Sequence, residues 1–150
     1  MVGRAVCSKP WYWATVDSQL YGAATDPMPN RRALLEDYSK WAEAEEARHP
    51  QRIRRLLLAP TLNLFAGEPY GKKYRAAMDT RAKDESLTFR QLVLDAAQDC
   101  LLPETLDAPP GATWDKNNKI YLLPEDRPAG DGEQQHHHHH QAARRLDAVA

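Results

Sequence analysis

Apolar residues recur at helical spacing in one segment of this chain after another, and this periodicity is the feature that most limits its fold. The clearest segment is TFRQLVLDAAQDCLL, residues 88–102. Its apolar residues predict one face of a helix: Phe89, Leu92, Val93, Ala96 and Cys100. Thr88 and Gln91 have the spacing of a capping box, which predicts that the helix begins after Thr88.

Two earlier segments show the same period. The first begins near Pro10 and has Gly22 in the position of a C-terminal stop. The second extends from about residue 31 to 48, with Asn30 suited to cap its first turn. Its predicted apolar stripe is Leu34, Tyr38 and Trp41. The stretch between them, ATDPMPN, is typical of a loop.

The middle of the chain predicts two further helices. His49-Pro50 ends the preceding helix, and Ile53, Leu56, Leu57, Leu64 and Phe65 mark a buried face in the next. Pro60 lies inside that segment, where a proline removes a backbone donor and is expected to kink or split the helix. After a turn at residues 67–69, a short helix with a basic edge is expected: it includes Tyr70, Tyr74, Ala77 and Met78.

The remaining segments are not helical in pattern. Val2, Gly3 and Arg4 resemble the end of a strand that delivers a glycine and a cation to a helix N-terminus. Beyond Pro103 the helical signal stops, and an extended arm with a short strand near residues 120–123 is expected. From residue 128 onward the biased composition predicts a disordered tail. The fold expected is therefore mainly α: a helical bundle after one strand.

Composition excludes some functional classes and leaves others open. A 150-residue chain with 42% apolar and 27% charged residues is typical of a globular domain. No run approaches the ~18 apolar residues of a membrane span. The net charge of −1 gives no global attraction to nucleic acid, but residues 48–90 contain ten Lys or Arg against four acids. This local excess of six cations is compatible with a polyanion partner, and equally with solvated helix faces.

Few residues have the spacing of a catalytic or metal site. Cys7 and Cys100 lack a CxxC spacing and indicate a reducing compartment; we expect both to be packed residues. The tract from His136 to His140 could bind metal ions, but we interpret it as part of a disordered tail with adventitious affinity. We expect His49 at a helix cap or in a loop. No metal site is predicted.

Aromatic and basic residues offer two candidate binding features. The aromatic residues at helical spacing are expected mainly in the core. Tyr70 and Tyr74 are the exceptions, because they alternate with Lys72, Lys73 and Arg75 in a plausible RNA-facing patch. Gly3 and Arg4 could bind a phosphate, since glycine allows close backbone approach and arginine offers a planar set of donors.

The opening MVGRAVCSKPWYWATVDSQLYG resembles the end of the catalytic barrel in A-type tRNA-dihydrouridine synthases. The matching pairs are Gly3-Arg4, Pro10-Trp11, Val16-Asp17 and Tyr21-Gly22. The segment LNLFAGEPYGKKYRAAM resembles the helical domain of that family, and LPETLDAPP its closing segment in photosynthetic eukaryotes. The matching positions in the helical domain are Leu62, Leu64, Phe65, Gly67, Pro69, Lys73, Tyr74 and Arg75. Asn63 and Ala76 depart from the family's glycine and arginine.

The resemblance implies a division of the chain. Residues 1–22 would be the last strand and helix of a (β/α)8 barrel, and Met1 an internal methionine of a longer protein. Residues 23–105 would form a helical tRNA-binding domain, 106–127 an extended arm and 128–150 a disordered low-complexity tail. The expected fold is thus a C-terminal helical bundle after an otherwise missing barrel.

The resemblance also implies a function. The family reduces uridine to dihydrouridine in tRNA with FMN, which NADPH reduces. Its catalytic cysteine lies upstream of this chain, so no catalytic residue is expected here and the chain alone should be inactive. Gly3 and Arg4 would contact the FMN phosphate. Residues implied to bind tRNA are Arg54, Arg55, Lys72, Lys73, Tyr74 and Arg75.

An alternative from another class remains open: a non-catalytic helical module that binds RNA or a protein partner. A purely structural bundle is a third. We expect a monomer with no membrane association, and the sequence leaves cytoplasm and plastid open as locations.

Overall fold

Helices dominate the computed structural model, which describes residues 3–49 and 53–126. The helices in chain order are α1 (Gly3–Ser8), α2 (Val16–Tyr21), α3 (Arg31–Arg48), α4 (Arg54–Leu62), α5 (Gly71–Arg81), α6 (Phe89–Cys100) and α7 (Pro103–Asp107). Short 3₁₀ turns cover Pro10–Trp13 and Pro124–Asp126, and the strands are β1 (Thr113–Asp115) and β2 (Ile120–Leu122). The expected mainly-α class is confirmed for this part of the chain.

Helix α6 lies at the centre of the fold, with α3 and α5 packed against it. Its buried residues are Phe89, Leu92, Val93, Ala96, Ala97 and Cys100. They include the whole predicted stripe. The predicted capping box is also present: the backbone N–H of Gln91 donates to the Thr88 hydroxyl, and the backbone N–H of Thr88 donates to the side-chain oxygen of Gln91. The strongest sequence pattern therefore marks the helix against which α3 and α5 pack.

Two other predicted helix ends also hold, whereas the helix expected to begin near Pro10 is divided into a 3₁₀ turn over Pro10–Trp13 and α2 from Val16. Asn30 accepts a hydrogen bond from the Ala33 amide at 2.8 Å, which satisfies one donor of the first turn of α3. Gly22 ends α2 with φ of 67°, a left-handed conformation that favours glycine. Local chemistry decides these boundaries, so a single sequence is enough to place them.

The buried stripe of α3 differs from the prediction by about one residue. Leu35, Ser39 and Ala42 are buried, whereas Trp41 is 54% exposed. Ser39 and Ala42 are small, α3 packs against α6, and the aromatic Tyr38 and Trp41 lie beside the buried residues. There the Tyr38 hydroxyl donates to the Leu57 carbonyl at 2.7 Å.

Pro60 does not split α4, which continues to Leu62. Both Pro60 and Leu56, the residue whose carbonyl loses its helical donor, are exposed, and water can bond to that carbonyl. Leu56 was expected in the core and is 73% exposed; the adjacent Leu57 and Leu58 are buried instead.

The beginning of the chain is a second correction. Gly3 and Arg4 belong to α1, and not to a strand. A strand needs a neighbour to satisfy its backbone groups, and none of the described residues provides one there, whereas a helix bonds its own backbone. Cys7, expected to be packed, is exposed in the same helix.

The segment after Cys100 also contains more structure than expected. Pro103 occupies the first turn of α7, where its missing N–H costs nothing, and Thr105 and Leu106 are buried. The expected strand near residue 120 is confirmed as β2, paired antiparallel with β1 so that Trp114 lies opposite Tyr121. Their ring centroids are 5.1 Å apart, and β2 also contacts α7. The hairpin is therefore attached to the helices.

Candidate nucleic-acid interface

Helix α5 presents the basic residues that the sequence singles out. Gly71, Tyr74 and Met78 form its buried stripe. A Cβ at Gly71 would lie 2.1 Å from the Phe65 carbonyl oxygen, so only glycine permits this close packing. With that stripe turned inward, Lys72, Lys73 and Arg75 are exposed; we call these three residues the α5 basic surface.

Arg75 is held in place by a neighbouring side chain. Its guanidinium donates to the Asn63 Oδ1 at 2.6 Å, and the Asn63 Nδ2 donates to the Cys7 carbonyl at 2.9 Å. Asn63 follows the last residue of α4. One amide therefore connects the basic surface to α1, 56 residues earlier in the chain.

Tyr74 is a core residue in this structure, and the interpretation of its ring as an RNA contact must be corrected. The side chain is fully buried, with its ring edge-on to Phe65 at a centroid distance of 4.9 Å. Burial raises the pKa of its hydroxyl. Thr61 affects that pKa, but the two groups lack the geometry of a hydrogen bond, and no described residue pairs with the hydroxyl. The spacing of Gly71, Tyr74 and Met78 is the signal that indicates this burial.

Tyr70 is the aromatic residue of this region that solvent reaches, at 57% exposure. It immediately precedes α5 and has φ of 60°, which is uncommon for a residue with a side chain. Its exposed ring is the one available for stacking beside the α5 basic surface.

Arg54 and Arg55 differ in their surroundings. Arg54 forms a two-pronged ion pair with Glu46 and also donates to the Leu87 carbonyl at 2.9 Å. The bond to Glu46 raises the pKa of Arg54. Arg55 is exposed and has no ion-pair partner among the described residues. Both line a polar hollow that also contains Glu43, Glu46 and Glu85, an acidic lining that disfavours phosphate.

Folding redistributes the positive charge of residues 48–90. Arg48, Arg54 and Arg81 pair with Glu45, Glu46 and Asp99. The exposed cations of this stretch without an ion pair, within the described ranges, are Arg55, Lys72, Lys73, Arg75, Lys83 and Arg90. Half of these cations form the α5 basic surface. Within this stretch, α5 therefore has the highest concentration of positive charge without an ion pair.

Gly3 and Arg4 do not form a recognisable phosphate cradle. A Cβ added at Gly3 meets nothing within 4 Å, so no close approach requires glycine there. Arg4 is exposed, and the Ser8 hydroxyl donates to its carbonyl at 2.8 Å. An apolar hollow of about 630 Å³ lies nearby, lined mainly by Tyr12, Trp13, Val16 and Leu20. The described residues alone therefore do not enclose a phosphate at this position, and the flavin contact implied by the resemblance stays a prediction.

A partly buried polar cluster, not anticipated from the sequence, joins four parts of the fold. It consists of Arg31, Glu68, Thr105 and Tyr121. The Arg31 guanidinium is ion-paired with Glu68 and donates to the Thr105 carbonyl at 3.3 Å. The Tyr121 hydroxyl donates to Glu68 and lies 3.0 Å from the Thr105 hydroxyl.

Aromatic rings flank the buried guanidinium: Trp11 and Phe65 have centroids 5.1 and 5.8 Å from it. Burial lowers the pKa of Arg31, against the opposing effect of Glu68. These residues are far apart in the chain and have no regular spacing, so no sequence pattern predicts their contacts.

Neither a metal-binding cluster nor a membrane-spanning helix is found in the described ranges. They contain no group of three or more His, Cys, Asp or Glu placed to hold a metal ion. None of the helices in them is long and apolar enough to cross a bilayer. The tract from His136 to His140 lies outside the described residues.

One comparison links the chain to a known protein. A stretch of 78 residues, 52% of the chain, is 35% identical to a tRNA-dihydrouridine(20/20a) synthase of Synechocystis sp.. This stretch corresponds to 22% of that protein's length. No protein-family profile and no solved structure matches the chain. Part of the chain is thus related to a dihydrouridine synthase, while the A type and the position within such an enzyme remain predictions.

Proposed function

We propose that this chain binds tRNA through the α5 basic surface and contributes in this way to the reduction of uridine to dihydrouridine in tRNA. The observation that carries the proposal is the 35% identity to the Synechocystis enzyme, whose name specifies that activity. The exposed, unpaired cations Lys72, Lys73 and Arg75 supply the chemistry for phosphate contacts. Tyr70 adds an exposed ring on which a base can stack.

The reduction itself is not assigned to these residues. By resemblance FMN and NADPH are the cofactors of the reaction, but Gly3 and Arg4 lack the geometry of a phosphate cradle. Contacts from Gly3, Arg4, Arg54 and Arg55 stay predictions of the resemblance. In our proposal the described helices orient tRNA by shape and charge.

The test is tRNA binding by the 150-residue chain, measured by fluorescence anisotropy of a labelled tRNA at 0.1 M salt. Each phosphate contact contributes about five- to eightfold at this salt concentration. The triple variant Lys72→Ala, Lys73→Ala and Arg75→Ala should therefore bind about a hundredfold more weakly or worse. The slope of log affinity against log salt concentration should decrease by about two to three.

Two controls make the test specific. A matched triple variant removes exposed lysines outside α5: Lys40→Ala, Lys116→Ala and Lys119→Ala. It should retain most of the affinity. Tyr74→Phe should bind like the parent chain, because the ring is buried. Absence of tRNA binding, or equal losses in both triple variants, would contradict the proposal.

A non-catalytic helical module that binds RNA or protein is the second candidate, favoured by the exposed cations Lys72, Lys73 and Arg75, which need no cofactor to contact a phosphate. Disruption of the gene separates the two. If dihydrouridine disappears from one tRNA position, measured by mass spectrometry, the synthase role is supported. If the dihydrouridine content is unchanged while the chain binds tRNA, the chain is a binding module.

A further inference from the structure

Asn63 is the one side chain that touches both the α5 basic surface and another segment of the chain, among the contacts described above. Its Oδ1 accepts from Arg75 at 2.6 Å, and its Nδ2 donates to the Cys7 carbonyl at 2.9 Å. Arginine can only donate, and a carbonyl oxygen can only accept. The orientation of the amide is therefore fixed from both sides.

We infer that Asn63 is a positioning residue, which pre-orients the Arg75 guanidinium for a phosphate of the RNA backbone. This inference rests on the proposed function. A long arginine side chain in solution loses rotamer freedom when it binds a ligand, and that loss weakens binding. Because Asn63 already restrains Arg75 in the free protein, part of that loss precedes RNA binding.

The arrangement leaves Arg75 able to bind a phosphate while Asn63 holds it. A guanidinium has five N–H donors, and the bond to Asn63 uses one, on a single terminal nitrogen. Arg75 has no carboxylate partner in the described part of the chain. An aspartate at this position would hold the guanidinium with a competing negative charge; the neutral amide restrains it without cancelling its charge.

The Cys7 carbonyl gives the amide its second anchor. Cys7 lies in the last turn of α1, where carbonyl groups have no helical donor. Asn63 satisfies that carbonyl, so the same bond that fixes the amide also joins α1 to the C-terminal end of α4. The two bonds make Asn63 more than a local cap of α4.

The test is a double-mutant cycle in tRNA affinity with the full chain. Arg75→Ala should weaken binding by about five- to eightfold at 0.1 M salt and reduce the salt slope by about one. Asn63→Ala should weaken binding by about threefold, which corresponds to the entropy cost of immobilising one side chain. It should leave the salt slope unchanged. In the Arg75→Ala background, Asn63→Ala should have no further effect.

Lys72 and Asn117 provide the controls. Asn63→Ala should weaken the Lys72→Ala variant by the same threefold factor as the parent, because Asn63 does not contact Lys72. Asn117→Ala, an exposed asparagine on the hairpin, should leave the affinity unchanged.

The outcomes separate this inference from the proposed function. If Arg75→Ala weakens binding and Asn63→Ala does not, the inference is overturned while the proposed function stands. A loss from Asn63→Ala that persists in the Arg75→Ala background indicates a general structural effect and also overturns it. If neither Arg75 nor the lysines affect tRNA binding, the proposed function itself fails.

Discussion

Arg31 is nearly excluded from solvent, at 3% exposure, although a guanidinium is costly to bury. Glu68 neutralises its charge, the Thr105 carbonyl accepts a hydrogen bond from it, and two aromatic rings lie near it. Its Nε has no hydrogen-bond partner among the described residues. The arrangement depends on each neighbour, because a buried charge without compensation is far less stable than a buried pair.

Glu68→Ala should therefore be strongly destabilising. We expect the free energy of unfolding to fall by about 3–5 kcal/mol, because Arg31 remains buried and unpaired. Urea denaturation followed by circular dichroism measures the change. As a control, Glu125→Ala removes an exposed carboxylate and should change stability by less than about 0.5 kcal/mol. If Arg31→Met combined with Glu68→Leu were as unstable as Glu68→Ala alone, this explanation would be wrong.

At the scale of elements, the predictions that succeeded depend on bonds within a few residues. Thr88 and Gln91 satisfy each other's backbone donors, and Asn30 does the same at α3. Every residue of the predicted α6 stripe is buried, and Ala97 is buried beside them. The stripe of α3 was not predicted correctly, since which side faces α6 depends on how closely Ser39 and Ala42 allow approach.

Thr88→Ala tests the contribution of the cap to α6. We expect a loss of about 1 kcal/mol in the free energy of unfolding, because the Gln91 amide loses its acceptor at a helix end. The shift in urea midpoint at constant slope gives the value. Thr80→Ala is the matched control: its hydroxyl bonds only the Ala76 carbonyl within α5, and its removal should cost less than about 0.5 kcal/mol. Equal losses in both variants would argue against a capping role.

At the scale of the whole molecule, folding decides where charge is neutralised. Ion pairs neutralise three cations of residues 48–90, and half of the exposed cations left without an ion pair in the described part of this stretch form the α5 basic surface. Carboxylates are stabilised in the same way. The Arg32 side chain holds the pKa of Asp107 below its ordinary 3.8, and hydrogen bonds from Ser86 and Asn117 do so for Asp84 and Asp115.

Stability should therefore fall in acid. A carboxyl group with a lower pKa in the folded state contributes stability above its unfolded value, near pH 4, and loses it as the pH falls through the folded value. We expect the free energy of unfolding to change little through these groups between pH 7 and 5, and to decrease below about pH 4. Urea denaturation across this range measures the effect. Asp107→Asn should make the acid loss shallower; a variant with the same pH profile as the parent would contradict this origin.

The candidate site was only partly predictable for the same physical reasons. Lys72, Lys73 and Arg75 were identified from their sequence, and the fold exposes them. Tyr74 was assigned to the RNA-facing side, although its spacing with Gly71 and Met78 indicates the inward side of α5, which packs closely against Phe65 at Gly71. Arg54 was implied to bind tRNA, but its guanidinium is paired with the Glu46 carboxylate in the folded chain. Asn63 gained its place between Arg75 and Cys7 only through the tertiary arrangement.

The sequence alone determined the helical class, the C-terminal end of α2, the capped starts of α3 and α6, and most of the buried face of α6. Each depends on residues within about four positions of one another, where helix geometry relates spacing to contact. The tertiary structure decided the buried face of α3 and the cluster of Arg31, Glu68, Thr105 and Tyr121. Those features join residues up to 90 positions apart, and their energies depend on burial and on neighbours that spacing does not encode.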